Sequence, residues 1–291
     1  MSRQQTGQRV PFTKMHGLGN DFMVLDTISN PVELSPDQVR MLGDRRRGVG
    51  FDQLLIIGPP GRPDADFNYR IFNPDGSEVE HCGNGARCFA RYVLNRGLIA
   101  RNPIRVETMN RMLELHVRED GQITVDMGAP DFEPTSLPFT APARQDFYTL
   151  SVPVAPGSAE QTEAKFQAVS MGNPHIVLTV DDCENAPVNT LGAVLCTWNK
   201  AFPQGVNVGF MQIIDRSTIR LRVFERGAGE TEACGTGTCA AVVCGIQAGL
   251  LDSQVRAILN GGELHIEWHG EGHPVLMTGP AAHVYEGTVL L

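Results

Sequence analysis

The sequence has too few basic residues for a protein that binds nucleic acid or an anionic membrane. It carries 24 lysines and arginines against 33 aspartates and glutamates, a formal net charge of -9 at pH 7. Both kinds of partner require a basic surface, so neither is expected. The one basic run, Arg45-Arg46-Arg47, is short and closes an amphipathic stretch, which predicts a solvated helix end rather than a phosphate site.

Long apolar segments are missing as well. Residues 1–12 are largely polar, so we expect no secretory signal. The uncharged run at residues 233–251 contains four glycines and several polar side chains, which favours a buried core helix over a membrane span. Seven cysteines, an odd number, fit a reducing compartment better than a secreted disulfide framework. We therefore expect a cytoplasmic protein.

Nucleotide and metal motifs are lacking too. No phosphate-loop motif occurs, and Gly227-Ala228-Gly229 lacks the third glycine of the dinucleotide fingerprint. His265 and His269 would form a metal pair only on a helix, but the apolar residues that alternate with them predict a strand with a solvated polar face. We therefore expect neither a nucleotide nor a metal site.

A repeated cysteine motif is the most informative feature of the chain. Cys82-Gly83-Asn84-Gly85 recurs 152 residues later as Cys234-Gly235-Thr236-Gly237. Over the 31 residues aligned by this offset nine are identical, where average residue usage gives roughly two. The repeat predicts an internal duplication and two domains, which we place at residues 1–128 and 129–278, with residues 279–291 able to return to the first.

The predicted secondary structure is mostly strand. Asp120-Gly121 marks a hairpin between two apolar segments, 113–117 and 122–126, and residues 208–214 and 219–224 form a second pair. Residues 131–164, rich in Pro, Ala, Ser and Glu, are expected to be loops, with 155–164 a solvated excursion.

Two helices interrupt these strands. Residues 86–96 and 238–248 lack internal proline, and Gly97 and Gly249 stand where a left-handed C-terminal cap is expected. The sequence thus predicts an α+β fold of two pseudo-symmetric domains, each a mostly antiparallel sheet or barrel around a central helix. We expect the active site in the cleft between them.

The chemistry of the motif follows from its place at a helix start. A thiol there lies at the positive end of the helix dipole, which lowers its pKa, and the glycines let backbone N–H groups hold a carboxylate. Two such thiols on opposite faces of a carbon suit stereoinversion, in which one removes a proton and the other returns one. A reversible disulfide in a redox protein is the alternative. The remaining cysteines, Cys88, Cys183, Cys196, Cys239 and Cys244, are expected to be buried apolar side chains.

At these motifs the chain resembles the diaminopimelate epimerase family, over nearly its whole length. The resemblance rests on residues 15–22 (MHGLGNDF), 50–53 (GFDQ), 82–88 (CGNGARC), 172–175 (GNPH), 205–207 (GVN), 225–231 (ERGAGET) and 234–237 (CGTG). Relatives that act on proline or hydroxyproline share the fold but typically have His where this chain has Asn84. They remain an alternative.

The resemblance implies a cofactor-independent interconversion of LL-2,6-diaminopimelate and its meso isomer, for lysine and peptidoglycan precursors. Cys82 and Cys234 would be the acid–base pair, with His175 and Glu225 tuning their pKa values. Gly83, Asn84, Gly235 and Thr236 would hold the reacting carboxylate. The other substrate-binding positions would be Asn20, Gln53, Asn73, Asn173, Asn207, Glu225 and Arg226. Tyr285 matches a position in the family's dimer-forming end, so a homodimer is expected.

Overall fold

The computed structural model describes residues 7–79 and 83–291, and these fall into two compact units. One unit comprises the chain up to Val125 together with Pro280–Leu291, and the other is Asp126–Gly279. The strands are β1 Arg9–Gly17, β2 Asn20–Asp26, β3 Gln53–Gly58, β4 Phe67–Phe72, β5 Glu78–Val79, β6 Ile104–Glu107, β7 Met112–Val117, β8 Ile123–Asp126, β9 Tyr148–Pro153, β10 Gln161–Ser170, β11 Pro174–Thr179, β12 Asn207–Asp215, β13 Thr218–Glu225, β14 Gly229–Thr231, β15 Gln254–Leu259, β16 Gly262–Glu267, β17 Leu276–Gly279 and β18 Ala282–Leu290. The α-helices are α1 Pro36–Gly43, α2 Gly83–Asn95, α3 Ala193–Cys196 and α4 Gly235–Gln247, accompanied by a 3-10 turn at Pro134–Ser136 and a π turn at Val188–Gly192.

The two units repeat one order of strands, which confirms the α+β fold. In the first unit β2 runs parallel to β3, β4 runs antiparallel to β3 and β5, and β4 runs parallel to β6. In the second unit β11 to β15 have the same relations. The antiparallel pairs β1–β2 and β6–β7 likewise match β10–β11 and β15–β16. The sheets that residues 7–79 and 83–291 form are therefore mostly antiparallel, with two parallel pairs in each unit.

A buried helix lies within the sheet of each unit. α2 packs against β1, β2, β3 and β7, and α4 against β10, β11, β12 and β16. Gly97, at φ +64°, and Gly249, at φ +72°, follow these helices in the left-handed conformation. The residue after each glycine donates back into the last turn, Leu98 to the Val93 carbonyl and Leu250 to the Gly245 carbonyl, both at 2.9 Å. The predicted C-terminal caps are confirmed, and each helix starts three residues earlier than predicted.

The expectation of loops at residues 131–164 is wrong in part. β9 and β10 form an antiparallel hairpin in which Tyr148 is opposite Phe166. Both rings are buried, and the apolar residues of β9 alternate with polar ones because only one face of the hairpin meets the core. The proline and glutamate content of the segment hid this short alternation.

The other predictions of local structure are confirmed. The hairpins β7–β8 and β12–β13 are antiparallel, and β16 is a strand with His265 on its exposed side. The five cysteines expected in the core are all buried. None of the helices at residues 7–79 and 83–291 has both the length and the apolar character needed to cross a bilayer.

Candidate active site

Cys234 occupies the N-cap position of α4. Its backbone is extended, with φ -113° and ψ 109°, and its sulfur accepts a hydrogen bond from the backbone N–H of Gly237 at 3.3 Å. A Cβ on Gly237 would lie 3.1 Å from that sulfur, so a larger residue would crowd the thiol. The hydroxyl of Thr236 lies 3.6 Å from the sulfur. These contacts place a thiol that is 5% exposed at the positive end of a helix.

The pKa of Cys234 contradicts the expectation from its position at a helix start. Burial raises the pKa of this thiol well above its usual value, and the charge of Glu225 and a hydrogen bond to it raise the pKa further. The Thr236 hydroxyl and the Gly237 N–H lower the pKa but do not compensate. The prediction of a readily available thiolate is therefore wrong for Cys234, because desolvation and a carboxylate from β13 outweigh the helix end. Burial and the Glu225 carboxylate therefore favour the protonated thiol of Cys234.

Cys82, the other cysteine of the repeated motif, lies outside the described residues. The two residues that follow it are described: Gly83 is the first residue of α2, and Asn84 is 3% exposed.

A short hydrogen-bonded chain in the second unit leads to the Cys234 thiol. Nε2 of His175 lies 3.0 Å from Oδ1 of Asn173, and Nδ2 of Asn173 donates to the Thr236 hydroxyl at 3.4 Å. Burial, with a smaller contribution from the charge of Arg226, lowers the pKa of His175 to about 3, so the imidazole is neutral. An amide oxygen only accepts, so the proton of this neutral ring is on Nε2. Nδ1 has no hydrogen-bond partner within the described ranges.

Asn207 and Arg226 also meet in the second unit. Oδ1 of Asn207 accepts from the backbone N–H of Arg226 at 2.9 Å, and Nδ2 of Asn207 donates to the Pro174 carbonyl at 3.2 Å. The guanidinium of Arg226 donates to the Gln204 carbonyl at 2.7 Å, and the residue is exposed. Glu225, the neighbour of Arg226, accepts from the Thr231 hydroxyl at 2.5 Å.

The first unit pairs its amides in a similar way. Nε2 of Gln53 donates to Oδ1 of Asn73 at 3.3 Å, and Nδ2 of Asn84 donates to Oδ1 of Asn20 at 3.2 Å. Asn20 is the first residue of β2 and Asn173 directly precedes β11, the second strand of each hairpin. Asn84 and Thr236 are 152 residues apart in the repeated motif. The Asn84–Asn20 contact and the Asn173–Thr236 contact are therefore the same contact in two repeats.

The polar residues of both units suit a zwitterion better than a metal ion. The side-chain amides and hydroxyls can both donate to a carboxylate and accept from an ammonium group, and the backbone N–H groups can donate to a carboxylate. Across residues 7–79 and 83–291, no three His, Cys, Asp or Glu side chains cluster in a way that could hold a metal ion.

Two residues of the first unit were missed by the sequence analysis. Arg87 is fully buried and its Nη2 donates to Oδ1 of Asn84 at 2.9 Å. Asp52 accepts from Nδ2 of Asn20 at 3.0 Å. Both belong to the quoted motifs. Comparing the repeats could have drawn attention to Arg87, because the corresponding residue in the second repeat is Cys239.

Tyr285 lies on β18, far along the chain from the cysteine motifs. Its ring contacts Phe12 edge to face, with centroids 5.9 Å apart, and the residue is 45% exposed. Its neighbour Val284 is 52% exposed, so β18 presents apolar side chains at the surface of the first unit.

The family model and the curated relatives that this chain matches agree on one family. The diaminopimelate epimerase family model matches residues 12–133 and 167–284. A diaminopimelate epimerase of Ectopseudomonas mendocina (strain ymp) is 58% identical over 280 residues, which cover 96% of this chain and 99% of that protein. Among solved structures, a phenazine biosynthesis protein of the PhzF family from Bacillus anthracis has a TM-score of 0.68 at 16% identity, covering 98% of this chain and 100% of its own. A hydroxyproline epimerase from Agrobacterium vitis has a TM-score of 0.64 at 17% identity, covering 100% and 94%. At these identities the structural similarity establishes the fold alone.

Proposed function

The chain belongs to the diaminopimelate epimerase family, and on this premise we propose that it interconverts LL-2,6-diaminopimelate and the meso isomer without a cofactor. The product would serve the synthesis of lysine and of peptidoglycan precursors. We place this activity in the cytoplasm.

The reaction we propose uses two bases. The thiolate of one cysteine takes the α-proton, the C–H electron pair stays on the α-carbon and its carboxylate, and the thiol of the other cysteine delivers a proton to the opposite face. Cys82 and Cys234 are the two cysteines. After one turnover in either direction their protonation states are exchanged.

The place of Cys234 at the N-terminus of α4 is the observation that carries this proposal. Burial and the Glu225 carboxylate raise the pKa of this thiol, which favours the protonated form that a proton donor requires. When it gives up that proton, the Gly237 N–H and the Thr236 hydroxyl are in place to stabilise the resulting thiolate.

The other site residues would bind the substrate. The α-proton of an amino acid is only weakly acidic, so we propose that helix-end N–H groups stabilise charge on the reacting carboxylate. These groups belong to Gly83, Asn84, Gly235 and Thr236. The substrate-binding set is completed by Asn20, Gln53, Asn73, Asn173, Asn207, Glu225 and Arg226, with Glu225 and His175 also setting the protonation of the cysteines.

Deuterium incorporation tests the two-base reaction. In heavy water, LL-diaminopimelate should yield the meso isomer with solvent deuterium at the inverted carbon. Cys82→Ala and Cys234→Ala should each abolish inversion, because one base cannot deliver a proton to the far face. Both variants must retain a wild-type thermal transition. Inversion at close to the normal rate in either variant would contradict the proposal, and turnover of proline or hydroxyproline instead would reassign the substrate.

We also propose that the protein forms a homodimer through its C-terminal strand. The exposed apolar residues of β18, among them Tyr285, support this assembly. Sedimentation of the wild type and of Tyr285→Ala tests it. We expect a dimer for the wild type and a monomer for the variant, and an unchanged mass would leave Tyr285 with no role in assembly.

A further inference from the structure

A chain of hydrogen bonds in the first unit runs from a buried cation to a carboxylate through two amides. Arg87 donates from Nη2 to Oδ1 of Asn84 at 2.9 Å. Asn84 then donates from Nδ2 to Oδ1 of Asn20 at 3.2 Å, and Asn20 donates from Nδ2 to Oδ2 of Asp52 at 3.0 Å. In all three hydrogen bonds the donor lies on the Arg87 side and the acceptor on the Asp52 side.

This direction determines how both amides are turned. The guanidinium of Arg87 can only donate, and the ionised carboxylate of Asp52 can only accept. Turning either amide over would bring a donor against a donor or an acceptor against an acceptor. The two charged ends therefore fix which side of Asn84 and of Asn20 presents oxygen and which presents nitrogen.

Arg87 is held rigidly enough to impose this orientation. The residue is fully buried, and its Nε donates to the Pro280 carbonyl at 3.0 Å. Gly17 packs against the pair, because a Cβ there would lie 3.2 Å from Nη2 of Arg87 and 3.3 Å from Cβ of Asn84. A buried cation with several fixed acceptors loses little freedom when it binds one more.

The second unit orients its amide by another route. Cys239 stands 152 residues after Arg87, and Val206 precedes Asn207 where Asp52 precedes Gln53. There the imidazole of His175 donates to Asn173 instead. The series of hydrogen bonds from Arg87 to Asp52 is thus found in the first unit and not in the second. The contact between an asparagine and the repeated motif is present in both units.

We propose that Arg87 and Asp52 are positioning residues, which act through Asn84 and Asn20 to present these amides to the amino-acid substrate. This inference rests on the proposed function, in which Asn84 and Asn20 bind substrate. Neither charged residue contacts the substrate itself.

A double-mutant cycle tests the buried end of the chain. We expect Arg87→Met to lower kcat/KM by about 10- to 100-fold, in line with the loss of a hydrogen bond to a charged group. In an Asn84→Ala background the same change should cost less than about 3-fold, because its target is gone. Arg91→Met is the matched control, since Arg91 lies one turn further along α2 and donates to the Gly121 carbonyl. It should leave kcat/KM within about 3-fold of the wild type.

A second double-mutant cycle tests the exposed end of the hydrogen-bonded series, at Asp52. It does not require the substitution of a buried residue. Asp52→Ala should lower kcat/KM, and Asn20→Ala should remove most of that effect. Asp64→Ala is the control, because Asp64 is similarly exposed and paired with Arg62. Additive losses in either cycle overturn the proposal, and if Arg87→Met does not fold, the Asp52 cycle decides alone.

Side-chain amide resonances provide a readout that needs no activity. Arg87→Met and Asp52→Ala should each shift the Nδ2 resonances of both Asn84 and Asn20, and Arg91→Met and Asp64→Ala should not. Unshifted resonances overturn the inference. A wild type that does not epimerise diaminopimelate would overturn the proposed function instead, and the resonances would still decide the orientation of the amides.

Discussion

Arg222 and Glu230 form an ion pair with two hydrogen bonds, at 2.6 Å from Nε and 2.9 Å from Nη2. Arg70 and Glu78, 152 residues earlier, form the same pair at 2.8 and 2.7 Å. Each pair joins the strand before a cysteine motif to the short strand beside it. Four of the residues shared by the repeats therefore make one interaction twice, in each case shortly before the repeated cysteine motif in the sequence.

The two ion pairs should differ in their contribution to stability. The side chains of Arg222 and Glu230 are 18% and 16% exposed, whereas those of Arg70 and Glu78 are 50% and 26% exposed. Arg222→Met leaves the partly buried Glu230 without its cation, although Asn189 still donates to it at 2.7 Å, so the free energy of unfolding should fall by about 2 kcal/mol. Arg70→Met should lower it by about 1 kcal/mol or less. Urea unfolding measures both values, and equal losses would contradict this account.

The carboxylate of Glu225 should control the protonation of Cys234. Burial and Glu225 both raise the pKa of this thiol, so Glu225→Gln should lower the pKa while burial keeps it above that of a free thiol. The pH at which Cys234 becomes reactive toward iodoacetamide should therefore fall in Glu225→Gln, as followed by mass spectrometry of its peptide. Glu230→Gln is the control, because Glu230 pairs with Arg222 instead. A profile that is the same in all three proteins would refute the role of Glu225.

Replacing His175 should separate stability from activity. Phe22 occupies the position of His175 in the first unit, since each is opposite the first residue of the next strand. His175→Phe removes a buried Nδ1 that has no partner within the described ranges, so the thermal midpoint should not fall. The variant also loses the hydrogen bond that orients Asn173, so kcat/KM should fall by about 10-fold. Parallel losses of stability and activity would mean that His175 only supports the fold.

Acid should weaken the first unit through Asp21. Burial by itself would raise the pKa of this carboxyl, but hydrogen bonds from Arg45 and Lys14 and their charges lower it to about 2, from 3.8. The stabilisation, about 2 kcal/mol, is complete above pH 3.8 and is lost as the pH falls through 2. The difference in unfolding free energy between the wild type and Asp21→Asn should therefore shrink over this range. Asp37→Asn, at an exposed ion pair, is the control and should change the free energy of unfolding by less than about 1 kcal/mol.

The sequence predicted the features that depend on neighbouring residues. The helices after the cysteine motifs, their glycine caps and the hairpin at Asp120-Gly121 all follow from local spacing and were confirmed. The positions of the substrate-binding amides came from the resemblance to the family and not from local spacing. The sequence analysis missed β9. Its apolar and polar residues alternate over only a few positions, and the proline and glutamate content of the segment favoured a loop.

The pKa of Cys234 and the contacts of Arg87 could not be predicted from neighbouring residues. A helix start predicted a low pKa for Cys234, but the pKa depends on burial and on Glu225, which comes from another element. The role of Arg87 likewise depends on contacts with Asn84 and with Pro280, a residue 193 positions away. Desolvation and long-range partners are properties of the folded chain, and no local pattern reports them.

The pairing of β1 with β18 sets an order for folding during synthesis. A ribosome makes all of Asp126–Gly279 before it makes β18, so the second unit has been synthesised while β1 has only β2 of its two partner strands. Until then Phe12 has neither the Gly287 backbone nor the Tyr285 ring to cover it. β1 therefore gains its second partner strand only after the whole of the second unit has been made.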